Sequence, residues 1–120
     1  MEPSTEGAEI LTEAYNLITG DRQHDYDHPL DDYSRTVDIF AAVTGHNLTA
    51  EEGILFMVCV KLSRLMNEIN RDLDVPDNGR DAAGYIGCLR MAIVERRRRE
   101  QVWKSDHPTY RFKTGESTWV

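Results

Sequence analysis

The stretch Thr49–Asn70, TAEEGILFMVCVKLSRLMNEIN, decides the fold. Thr49 and Glu52 stand at the spacing of a capping box, which satisfies two backbone donors at a helix start. Behind them Leu55, Val58, Leu62, Leu65 and Ile69 recur at intervals of three and four, the period of an amphipathic helix. Phe56, Met57 and Val60 widen this apolar surface, so the helix is expected to be nearly surrounded by core. Two consequences follow. Lys61, Arg64 and Glu68 lie on a neighbouring face, and cations on a mostly buried helix require carboxylate or phosphate partners. The helix also carries more apolar surface than three partner helices of one small chain can cover, which predicts a homodimer or higher homo-oligomer.

Working outward, Pro29 suits a first helical position, and Leu30, Tyr33, Val37 and Phe40 repeat at helical spacing until Gly45. On this helix Asp31 and Arg35 are one turn apart and expected to pair. Residues 5–19 form an earlier helix, with Ile10, Leu11, Ala14, Leu17 and Ile18 on one face and Gly20 as its stop. After a turn-rich acidic link, Ala82, Tyr85, Ile86, Leu89 and Ile93 define a last helix that Asp77 or Asn78 could cap. Gly84 and Gly87 lie inside it, where each costs about 1 kcal/mol relative to alanine, so a close helix contact or a ligand needs the space. The pattern breaks from Glu100 onward. The expectation is an all-α four-helix bundle, one helical domain over residues 1–100, with an irregular C-terminal arm over 101–120.

Composition narrows the function. The 120 residues carry a net charge of −7, unevenly spread: residues 1–88 hold six basic and seventeen acidic side chains, residues 89–120 eight and four. An acidic body repels a nucleic-acid backbone, so the run Arg96–Arg99 is the one place where such a contact is conceivable. The simpler reading of that run is a solvated helix end facing the negative pole of its own dipole. The most apolar run, Ile54–Val60, falls far short of the roughly 20 residues of a membrane span, and the acidic N-terminus lacks a secretory signal pattern, so a cytoplasmic protein is expected. Cys59 and Cys88 both fall in apolar helical patterns and read as buried free thiols.

The polar chemistry concentrates in Gly20–Arg35, GDRQHDYDHPLDDYSR, which packs five aspartates, two arginines, two tyrosines and two histidines where two helices should meet. It is either a ligand or metal loop, or a solvated acidic connector. His24 and His28 are four apart, but the residues before Pro29 are not expected to be helical, so they do not form a two-histidine metal site. Asp77-Asn-Gly-Arg-Asp81-Ala-Ala-Gly84-Tyr85 is the second place where polar residues enter a packed helix.

The order Gly20-Asp21-Arg22, Tyr26, Pro29, Tyr33, then Lys61-x-x-Arg64, then Asp77-x-x-x-Asp81-x-x-Gly84-Tyr85 resembles a family of small uncharacterised proteins of tailed bacteriophages and prophages. That family in turn is similar to the MazG-like all-α nucleoside triphosphate pyrophosphohydrolases. The resemblance implies a MazG-like bundle, usually dimeric, in the cytoplasm of an infected host. It further implies a nucleotide-like ligand held by Arg22, Tyr26, His28, Lys61, Arg64 and Tyr85, and Mg²⁺ on Asp77 and Asp81 with Asp31 or Asp32. The sequence departs from the enzymes: the helix-borne E-E-x-x-E signature is absent, and Lys61 and Arg64 stand where acids are expected. Two functions are therefore carried forward. One is a Mg²⁺-dependent pyrophosphohydrolase; the other is a non-catalytic protein that sequesters a host immune-signalling nucleotide.

Overall fold

The computed structural model describes residues 2–20 and 26–109, and the described residues form four helices and no strand. They are α1 (Glu6–Thr19), α2 (Pro29–Thr44), α3 (Ala50–Asn70) and α4 (Pro76–Asp106). The all-α expectation holds. At 31 residues α4 is about 46 Å long and serves as the spine. It packs on each of the other helices, α2 and α3 also pack on each other, and α1 touches α4 alone.

Local chemistry explains where the helices begin and end. The Thr49 Oγ1 accepts the Glu52 N–H (3.1 Å) while a Glu52 carboxylate oxygen accepts the Thr49 N–H (2.9 Å), completing the capping box. Pro29 follows an N-cap supplied by His28, whose Nδ1 accepts the Leu30 N–H at 3.1 Å. Gly45 ends α2 in the left-handed region at φ +77°, a conformation that favours glycine. The start of α4 differs from the sequence expectation: neither Asp77 nor Asn78 caps it. Instead Glu68 reaches across from α3, accepting the Val75 N–H (3.0 Å) and the Asn78 side-chain amide (3.2 Å).

The C-terminal end of α4 also departs from expectation, because the helix continues through residues 101–106. Side-chain pairs one turn apart support it there, Glu95 with Arg99 (3.0 Å) and Arg96 with Glu100 (2.8 Å), and the His107 ring stacks on Trp103 with centroids 4.0 Å apart. Pro108 then disfavours a helical His107 and the helix stops.

The core is thin and built from small side chains. Leu30 and Tyr33 of α2, Ala50 and Ile54 of α3, and Cys88 and Ala92 of α4 form one buried cluster, with Ile18, Met57, Tyr85 and Leu89 packed around it. Small residues let the helices approach closely. A Cβ on Gly53 would sit 2.7 Å from the Val37 side chain, and one on Gly87 would sit 2.8 Å from Ile18, with Gly84 beside the same isoleucine. The space at Gly84 and Gly87 therefore belongs to α1, not to a ligand.

Several apolar positions expected inside are outside. Ile54 and Val58 of α3 are buried, but Leu55, Phe56, Leu62 and Ile69 are exposed, as is Cys59, whereas Cys88 is buried as expected. Leu11 and Leu17 of α1, Phe40 of α2 and Ile86 of α4 are likewise exposed. A helical stripe wide enough to be core on all sides meets only two neighbouring helices, α2 and α4, among the described residues of one chain.

Candidate functional site

Two polar regions lie along α4. The first joins its opening turns to the middle of α3. Lys61 is largely covered, its side chain 12% exposed, and its Nζ sits 3.1 Å from one oxygen of Asp81. The other Asp81 oxygen is held by Arg80 Nε at 3.2 Å, and Arg80 also reaches Asp77 at 3.3 Å. Lys61 thus has the carboxylate that its position requires, supplied by Asp81 in the second turn of α4. Arg64 does not share that environment: it is exposed, with no ion-pair partner among the described residues. Tyr85 is half-buried against the core cluster.

The second region lies farther along the spine, where α4 passes the N-terminal turns of α2 and α3. Arg99 grips Asp31 through two nitrogens (2.7 and 3.0 Å) and also bonds Glu95. Arg96 bonds Glu51 through Nε and Glu100 through Nη1. The expected Asp31–Arg35 pair is replaced: Arg35 turns to Asp27 (3.0 Å) and lies 3.9 Å from Asp32, because the tertiary fold brings Arg99 to Asp31. The Arg99 hydrogen bonds hold the Asp31 carboxyl below its usual range. Arg98 and then Arg99 lower Glu95 to about 2. Beside these pairs lies a cleft of about 570 Å³ lined by Leu30, Ser34, Thr49, Ala50, Glu51, Arg96 and Arg99.

The residues predicted from sequence separate between and beyond these regions. Asp77, Asp81 and Lys61 belong to the first, and Arg64 stands apart from it, exposed. Asp31 belongs to the second, with Asp32 beside it in the first turn of α2. Arg99 lies eighteen residues beyond Asp81 on the same helix, about 27 Å along the axis, so the two aspartate pairs do not converge in one chain. The described residues hold no group of three or more acid, histidine or cysteine side chains placed for a metal ion. Both Asp81 oxygens face cations and both Asp31 oxygens face Arg99, so these carboxylates do not fit Mg²⁺ within one chain. His28 is occupied as the N-cap of α2, Tyr26 is exposed just before that helix, and Arg22 lies outside the described residues.

Comparison with known families adds a boundary to this geometry. A family model described as a domain of unknown function (DUF6378) matches residues 9–92. The chain belongs to this family. No curated protein and no solved structure matched the chain. The match takes in most of α1, all of α2 and α3, and the part of α4 that bears Asp77, Asp81 and Tyr85; Arg96 and Arg99 fall just beyond it.

Sequence reading therefore missed the arginine cleft of this DUF6378 chain. The signals were present: acids in the first turns of α2 and α3, and a run of arginines in α4. Their partners are 45 and 68 residues apart in sequence, which no local pattern reveals. The arginine run also loses its look of a free basic stripe, since Arg96, Arg98 and Arg99 are all answered by carboxylates of the same chain.

Proposed function

We propose that this protein binds a nucleotide-like, phosphate-bearing small molecule and holds it without turning it over, as a homodimeric, MazG-like phage protein acting in the host cytoplasm. The observation that carries this reading is the pair of guanidiniums at the cleft. Each arginine has five N–H donors. Arg99 commits three to Asp31 and Glu95, and Arg96 two to Glu51 and Glu100, so both keep donors for an incoming anion. Arg99 has spent its Nη1–Nη2 fork on Asp31 and its Nε on Glu95, so what the carboxylate-held heads offer phosphate oxygens is their remaining N–H groups, each a charge-assisted donor. Leu30 and Ala50 add apolar lining, and the volume lies within the roughly 300–1,000 Å³ of small-molecule sites.

Binding is favoured over metal-dependent pyrophosphohydrolysis for an electrostatic reason. A Mg²⁺ ion on Asp81 would have to displace Lys61 and Arg80, and one on Asp31 would have to displace Arg99. The sequestration of a host immune-signalling nucleotide needs no such rearrangement.

The test is thermal unfolding of the full chain against nucleoside triphosphates, cyclic nucleotides and ADP-ribose-type nucleotides, in EDTA and in Mg²⁺. At a hundredfold excess over Kd a true ligand stabilises by about 2.7 kcal/mol. The expected result is stabilisation in EDTA by at least one nucleotide, recovered intact, and its loss in Arg96→Ala. Stabilisation that requires Mg²⁺ and releases pyrophosphate would transfer the case to the enzyme reading; no response to any nucleotide would end both.

A further inference from the structure

The outward face of α3 carries Leu55, Cys59, Leu62, Met66 and Ile69, at intervals of four, three, four and three. All five are exposed, Leu62 by 50%, Met66 by 55% and Ile69 by 71%, and Phe56 flanks them. This is a strict 3.5-residue repeat, the spacing of a seam between two supercoiled helices, and no other helix among the described residues covers it. We infer that the seam is covered by the same seam of a second copy, running antiparallel, with the two-fold axis passing beside Leu62.

Area and chemistry both select a second copy. Leu55, Phe56, Cys59, Leu62, Met66 and Ile69 together expose on the order of 600 Å², so complete burial in two copies reaches about 1,200 Å², the lower edge of a stable interface. From Leu55 to Ile69 the seam positions carry no charged side chain, and Cys59 and Ser63 are small enough for two helices to approach. An isologous contact needs a surface that complements itself, and a stripe spaced almost symmetrically about Leu62 does so.

Direction follows from Glu52, one heptad before Cys59 on the same stripe. A parallel pair would set the two Glu52 carboxylates against each other, and the capping box pins each one in place. The antiparallel pair moves them about 30 Å apart along the axis. It also offsets the two Cys59 residues by about 9 Å along the axis, beyond the reach of a disulfide, while Leu62 meets its own counterpart. The inference extends the homodimer of the functional reading but does not rest on the ligand, so either can fail alone.

Three measurements on the full chain test it. Light scattering after size exclusion should give twice the chain mass, and Leu62→Glu and Ile69→Lys should each give the monomer mass with helical circular dichroism unchanged, since both side chains are exposed. Under a mild oxidant, Leu62→Cys in a Cys59→Ser background should cross-link to a covalent dimer, and the native chain should not. A monomeric native protein, a dimer that survives both charged variants, or efficient Cys59–Cys59 cross-linking of the native chain would each overturn the antiparallel seam. Nucleotide stabilisation measured on the same samples shows separately whether the ligand reading stands.

Discussion

The two halves of α4 are held by different forces. From Ala82 to Ala92 the helix is fixed by close apolar packing: Ala82, Gly84, Cys88 and Ala92 are buried, and α1 and α3 lie against them. From Glu95 onward no residue of α4 is buried, and the helix is tied to α2 and α3 through Arg96–Glu51 and Arg99–Asp31. The first half owes its position to burial, which salt and pH affect little. The second depends on ion pairs, exposed at Arg99–Asp31 and partly covered at Arg96–Glu51, and the exposed one is worth about 0.2–1 kcal/mol and sensitive to both. The half that is fastened weakly is the half that lines the cleft.

The contrast breaks most visibly in the core. Ile54→Ala removes the bulkiest fully buried side chain beside Cys88 and Ala92, and should cost about 2–5 kcal/mol in urea unfolding. A loss well under 1 kcal/mol would mean that the apolar half does not anchor the fold. A double-mutant cycle on Arg99→Ala and Asp31→Ala should return a coupling of about 0.2–1 kcal/mol that shrinks in high salt. Amide exchange should show the effect confined to the second half of α4.

The smallest effect is expected in acid. Asp31 and Glu95 both titrate below their ordinary values in the folded chain, so their contributions are complete above the unfolded values and fade as pH falls through the folded ones. For Glu95 that window runs from 4.5 down to about 2. Amide protection after residue 95 should therefore fall in this range before protection around Cys88 does. Simultaneous loss would show that the two halves are one cooperative unit.

Helix identity was legible because its causes are local. The capping box at Thr49, Pro29 at the start of α2, Gly45 at its end and the four-residue spacing of Ile10, Ala14 and Ile18 each act over a few residues. The need of Lys61 for a carboxylate was legible too, because a covered cation demands one wherever the chain can supply it. What could not be read was which side of α3 faces inward. Ile54, Leu55, Leu62 and Ile69 are equally apolar, and only the positions of α2 and α4 decide that the first is buried and the others are not.

The sequence by itself thus determined four helices, the capping box of α3, the proline start and glycine end of α2, and the acidic and basic character of each helix, since hydrogen bonding and side-chain periodicity within a helix do not depend on its neighbours. Tertiary structure alone decided that Asp31 answers Arg99 rather than Arg35, that the two aspartate pairs stand at different ends of α4, and that a seam of α3 is left bare. Each of these depends on which residues distant in sequence come within a few ångströms, and that is set by how the helices dock.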